Sequence, residues 1–156
     1  MSDDLMKQSA KLAKRLAEIP VEIVAEVRPA LMQAAEDTAE VARSLAPEDE
    51  GDLKASITVT PPGGITPAYA AQGGRRQAAE NQALVTVGSP KVRHGHLVEF
   101  GTAPHVNGGQ FAGTRHPGTA ARPFLLPAAR LTQDRNRRRI GRAVGRAVRN
   151  ASRAGA

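Results

Sequence analysis

The sequence predicts an α+β fold: N-terminal helices, a small antiparallel sheet with long loops, and a C-terminal helix packed on that sheet. Three observations predict it. Apolar residues recur at helical spacing as far as Leu45. Two short stretches alternate apolar and polar residues as strands do, and large aliphatics return every four positions near the end of the chain. With 156 residues the chain reads as one domain over 1–156. Its parts are a helical segment 1–46, strands and a long loop over 53–102, and a C-terminal helix over 122–151.

In the helical segment Leu5, Leu12, Leu16 and Ile19 fall on one face, and Ile23, Val27, Leu31, Val41 and Leu45 continue the stripe. Ser2, Asp3 and Asp4 suit an N-terminus. Pro20 fits the first turn of a second helix, whereas Pro29 would kink a helix interior. The expectation is two helices, or one bent helix, ending near Ala46-Pro47. Residues 47–52 hold four carboxylates and form an acidic turn, which lacks the spacing of a calcium loop.

The first strand is read over 53–60, with Ile57 and Val59 on one face and Thr58 and Thr60 on the other. The second is read over 83–88, paired antiparallel with the first. The connection 61–82 is long enough to be functional or disordered. Leu97-Val98-Glu99-Phe100-Gly101-Thr102 and Ala121-Arg122-Pro123-Phe124-Leu125-Leu126-Pro127-Ala128 hold two of the three phenylalanines. In a chain without Trp such anchors are scarce, so the two stretches are expected to pack together and throw 101–121 outward. Phe100 and Phe124 would then knit the sheet to the last helix. In that helix Ile140, Val144 and Val148 form a thin apolar seam.

Only 35 residues are large and apolar, so the core is modest and a protomer completed by copies of itself is favoured over a marginal monomer. The absence of cysteine excludes disulfides, thiolate metal sites and a thiol nucleophile. No apolar run approaches bilayer length, and Met1-Ser2-Asp3-Asp4 is unlike a signal peptide, so a cytoplasm-like compartment and no membrane partner are expected. His94, His96, His105 and His116 lie in or beside the second loop, where solvated or subunit-contact histidines are favoured over a metal site. No cofactor is expected.

Charge is distributed unevenly. Residues 1–52 carry 6 basic and 12 acidic side chains, and 53–156 carry 16 basic and 3 acidic, so complementary faces or a basic tail are implied. Arg138, Arg142, Arg146, Arg149 and Arg153 form a stripe opposite the apolar seam. Three readings stand: a solvated face, duplex phosphate contact, or pairing with the acidic half of a neighbouring subunit or an acidic partner ring. The last is favoured over the first two. The segment lacks aromatics to stack unpaired bases. Glu99 is a lone acid among apolar residues. It could serve as a general base, but a structural ion pair with Arg122, or bonds to N–H groups near Gly101-Thr102, is favoured. Phosphate-loop, serine-elbow and zinc-protease motifs are absent, so no catalytic residue is assigned.

Three segments carry a resemblance. Gly51-Asp52-Leu53-Lys54-Ala55-Ser56-Ile57 is similar to a Gly-x-Leu-x-x-Ser-Ile segment, 97–102 to a Val-Glu-Phe-Gly-Thr signature, and 122–128 to Pro-Phe-Leu-x-Pro-Ala before a C-terminal helix. In this order they resemble the gene-product-ten-like, HK97-type tail-component family of tailed bacteriophages, prophages and gene transfer particles. Here His96 stands near the position of a common aromatic, the insert 61–82 is long, and the last helix is unusually rich in arginine.

The resemblance implies a non-enzymatic virion protein of the neck, a tail-completion or tail-terminator-like subunit assembled in the host bacterial cytoplasm. Its partners would be itself, in a ring of six copies in preference to twelve, and the adjoining connector and tail-tube proteins. Gly51, Leu53, Ser56, Ile57, Val98, Glu99, Phe100, Gly101, Thr102, Pro123, Phe124, Leu125 and Pro127 are its structural-motif positions, with Gly51 permitting the turn into the first strand. Loops 61–82 and 101–121 would meet partners, ordering against them. The arginine stripe would face the ring or the DNA channel. The rival expectation is an architectural nucleic-acid-binding module gripping duplex phosphates with the same stripe.

Overall fold

The computed structural model describes residues 2–48, 51–70 and 74–154, with side chains from Pro20 onward. The order of elements is α1 (Ser2–Leu45), α2 (Asp52–Ala55), β1 (Ile57–Thr60), β2 (Leu84–Val87), α3 (Gly95–Phe100), β3 (His105–Val106), a 3-10 turn (Gly109–Phe111), β4 (Arg115–His116) and α4 (Leu125–Arg153). The α+β class holds, with helices at both ends and two small antiparallel sheets between them.

The N-terminal segment is a single helix that runs through both prolines, not two helices. Pro20 and Pro29 lie on exposed positions, where the carbonyls they leave unbonded can be hydrated. From Ile23 onward α1 packs against α4, and over this stretch, which includes Pro29, the contact outweighs the local breaker. The stripe from Leu5 to Ile19 lies outside the described side chains, and Asp49 and Glu50 of the acidic turn lie outside the described residues.

α1 and α4 lie antiparallel, so their contacts pair early residues of one with late residues of the other. Thr38 meets Thr132, Asn136 reaches Ala34, and Asn150 reaches Glu26. Two apolar clusters flank a polar layer. One gathers Ala39, Ala42 and Ala46 of α1 with Leu53, Ile57, Val92, Phe124 and Ala128. The other joins Val27 to Ala143 and Ala147. Between them Thr38 and Thr132 share a hydroxyl hydrogen bond of 2.8 Å, and Asn136 Nδ2 donates to Ala34 O and Thr38 Oγ1. The C-terminal helix therefore packs along α1 for most of its length and reaches the core under the sheet only with its first turns, at Phe124 and Ala128.

That contact corrects the expected apolar seam. Ala143 and Ala147 are buried at 3 % and 1 % exposure, while Val144 and Val148 stand exposed. Opposite them α1 presents Val27 with Ile23 and Leu31, so the alanines of α4 take the facing positions and the valines, one step of about 100° away, turn outward, while Ile140 of the expected seam does pack at this contact.

β1 and β2 pair antiparallel with Ile57 opposite Val87 and Thr60 opposite Leu84. The first strand starts later than read, because 52–55 form the turn of α2 before it. Both Ile57 and Thr60 are buried, so neither face of β1 is open along its whole length. The insert 61–82 prolongs the hairpin: Ile65 bridges Gln77, Thr66 N donates to Arg76 O, and Ala78 N donates to Gly64 O. The second loop is likewise a hairpin arm, closed by the Thr102–Thr119 bridge and by β3 paired with β4.

Candidate functional site

The junction between α3 and α4 is built on one carboxylate. Glu99 is 5 % exposed, and it is the one buried charged side chain among the described residues. Its Oε2 accepts from the backbone N–H of Phe124 at 2.8 Å and Leu125 at 2.9 Å, and its Oε1 from Leu126 at 2.8 Å. A helix begins with about four N–H groups lacking partners inside the helix. Here the fourth position is Pro127, which has no N–H, and Ala128 N starts the regular pattern by donating to Phe124 O. Glu99 thus satisfies every donor that the first turn of α4 leaves open, with a negative charge at the end of the helix dipole that favours it.

This corrects the expected partners of Glu99, which are not Arg122 and not the N–H groups of Gly101-Thr102. The expected meeting of the two stretches does occur, and Arg122 N adds a bond to Val98 O at 2.8 Å. Phe124 is fully buried as an anchor. Phe100 is not one: it is 68 % exposed. α3 turns Glu99 inward, and the next side chain, about 100° around the helix, points to solvent.

The other motif positions are structural in the same sense. Gly51 has φ 81° and starts α2, a conformation that favours glycine. Leu53 and Ile57 enter the core, and buried Ser56 donates its hydroxyl to Leu53 O. Gly101 has φ 71° and ψ −178°, and a Cβ there would come within 2.5 Å of Thr119 O, so only glycine lets the chain leave α3 against the base of the second arm. Thr102 closes that base with Thr119. Pro123 precedes the cap, and Leu125 packs against the core cluster.

His105 and His116 face each other across β3 and β4 with stacked rings 5.1 Å apart. His94 precedes α3, and His96 is exposed on it. Among the described residues no group of three or more His, Cys, Asp or Glu is placed to hold a metal ion. The arms carry exposed apolar side chains, Ile65 on the first and Val106 and Phe111 on the second, with Phe100 at the base of the latter.

On α4 the arginines divide. Arg139 and Arg135 turn toward α1 and pair with Asp37 at 2.5 Å and 3.3 Å. Arg139's hydrogen bond, then Gln33's, holds the Asp37 carboxyl below the usual carboxylate range. Arg138, Arg142, Arg146 and Arg149 instead line a shallow groove whose floor is Gly141 and Gly145. Those four and Arg153 make no ion pair among the described residues. The sequence pattern found this row. It missed Asp37 and the Thr38–Thr132–Asn136 layer, because polar residues on a helix give no signal of which neighbour they face.

The fold and these surfaces define a class: a small scaffold whose buried charge is consumed in joining its own elements, with its remaining charges and several large apolar groups displayed outward. The chain belongs to the family described as "Bacteriophage HK97-gp10, putative tail-component", which it matches over residues 10–101. It is thus a structural component of a phage tail, with its place in the virion. The match takes in α1 from residue 10 on, the β1–β2 sheet and Glu99, and ends before the second arm and α4. No curated protein and no solved structure matches the chain. No helix among the described residues is long and apolar enough to cross a membrane.

Proposed function

We propose that this chain is a ring-forming subunit of the neck, a non-enzymatic tail-completion protein that joins a DNA-filled head to the tail and assembles in the host cytoplasm. Membership of the tail-component family carries the reading. The surface supports it. Two hairpin arms and α3 present Ile65, Phe100, Val106 and Phe111 to solvent, apolar area that a neighbouring subunit or an adjoining ring would cover. Head-to-tail contacts between unlike surfaces close into rings, and six copies suit this reading better than twelve.

The test is deletion of the gene from the phage that carries it. Accumulation of filled heads and separate tails, restored to joined particles by the added protein, is the expected result. Joined, infectious particles without the protein would overturn the proposal. Reversing Arg138, Arg142 and Arg146 should block joining while circular dichroism of the purified chain stays unchanged.

A second reading, non-specific contact with duplex DNA, rests on the same unpaired guanidinium groups. Its signature is affinity that falls steeply as salt rises.

A further inference from the structure

We propose that the arginine face of α4 is the seat of a second copy of this chain, which enters it with the acidic outer face of its α1. The inference rests on the ring reading above and names the two surfaces that meet. Three observations carry it.

The first is the groove. Arg138, Arg142, Arg146 and Arg149 border it, and Gly141 and Gly145, one helical turn apart, form its floor. A Cβ on Gly141 would meet nothing within 4 Å, so the chain's own packing does not require glycine there. Glycine weakens an exposed helix relative to alanine, and what it offers in exchange is close approach by another backbone.

The second is the acidic row of α1. Glu22, Glu26, Glu36 and Glu40 are exposed on α1, on the side away from Ala35, Ala39 and Ala42. Glu26 holds Asn150, while Glu22, Glu36 and Glu40 make no ion pair among the described residues. Arg28 and Arg43 on the same helix are already engaged, by Glu80 and by Ile57 O.

The third is that no ion pair joins the two rows within one molecule among the described residues. α1 and α4 meet through Ala39, Ala42 and Ala128 at one end and Val27, Ala143 and Ala147 at the other, and Asp37 with Arg139 and Arg135 is the charge contact between them. An acidic patch on one copy and a basic patch on the next make a contact between unlike surfaces, which repeats around a closed ring. Phosphates would also accept the arginines, but they leave the glutamate row without a role.

The experiment uses the full chain and two double reversals at exposed positions, R142E/R146E and E36K/E40K, with folding checked by circular dichroism. Sedimentation velocity and native mass spectrometry follow assembly across protein concentration and salt, and a short DNA duplex is the nucleic-acid probe. Each reversal should raise the concentration needed for assembly by about tenfold or more. An equimolar mixture of the two variants, in which every contact again joins unlike charges, should recover assembly, and so should the variant carrying all four changes.

If the wild type assembles and both variants assemble equally well, the pairing is overturned while the ring reading stands. If the wild type stays monomeric at every concentration, the ring reading falls and the pairing with it. If R142E/R146E loses duplex binding and assembles normally, the row is a nucleic-acid surface and the proposal is wrong.

Discussion

The two ends of α4 treat charge in opposite ways. At its start, one carboxylate is buried and each N–H of the opening turn has a partner, so Glu99, Phe124 and Ala128 fix the helix to the body of the protein. Toward its end, four arginines stand around two glycines without a carboxylate in reach among the described residues. A buried charge persists only when its bonds are complete, whereas a surface charge persists in water at little cost. The first end therefore reports on folding and the second on association. A substitution at the first should act through stability, and a charge change at the second should act on association without loss of the fold.

The largest effect that could break this contrast lies at the two phenylalanines. Phe124→Ala should lower unfolding stability by about 3–5 kcal/mol in urea melts. Phe100→Ala should change it by less than about 0.5 kcal/mol. Similar losses from both would mean that Phe100 is an anchor after all. Next is Glu99→Ala, expected to cost about 3 kcal/mol because three N–H groups lose their acceptor in a buried site. Glu99→Gln keeps one acceptor oxygen and should cost less. Hydrogen exchange should localise the damage, with protection falling first at Leu125, Leu126 and Ala128 and the far end of α4 affected last.

Between the two ends sits Asp37, which ties α1 to Arg139 and Arg135. Its carboxyl titrates below the usual range in the folded protein, chiefly through the hydrogen bond from Arg139. A depressed folded value means that the contribution is complete above the unfolded value of about 4 and disappears as pH falls through the folded one. Asp37→Asn should cost about 1 kcal/mol at neutral pH and nothing at low pH. A constant difference between variant and wild type across that range would contradict the assignment.

The smallest effect is the sharpest for the association end. Gly141→Ala should stabilise the isolated chain by up to about 1 kcal/mol, since the helix gains propensity and the new methyl meets nothing. A more stable monomer that assembles less readily would separate the two roles of α4 in a single variant. Destabilisation of the monomer would show that this face packs within the chain.

Much of this was legible in the sequence for a reason that can be stated residue by residue. Glycine before Leu53 and after Phe100, an isolated acid between apolar residues, and a proline at the third helical position are local requirements, each tied to one backbone geometry. The meeting of 97–102 with 121–128, expected from the scarce phenylalanines, is present, although Glu99 and Phe124 hold it and Phe100 does not. The arginine row was legible because spacing alone places side chains on one side of a helix.

What only the tertiary structure decided concerns partners at long range. The sequence could not say that Glu99 would bond the N–H groups of 124–126 rather than Arg122, because that depends on where α3 ends relative to α4. Nor could it choose Ala143 and Ala147 over Val144 and Val148 for the seam. Hydrophobicity ranks the valines higher, but α1 presents Val27 with Ile23 and Leu31 to this stretch, so which residues of α4 face it is set by the placement of both helices and not by the hydrophobicity of α4 alone.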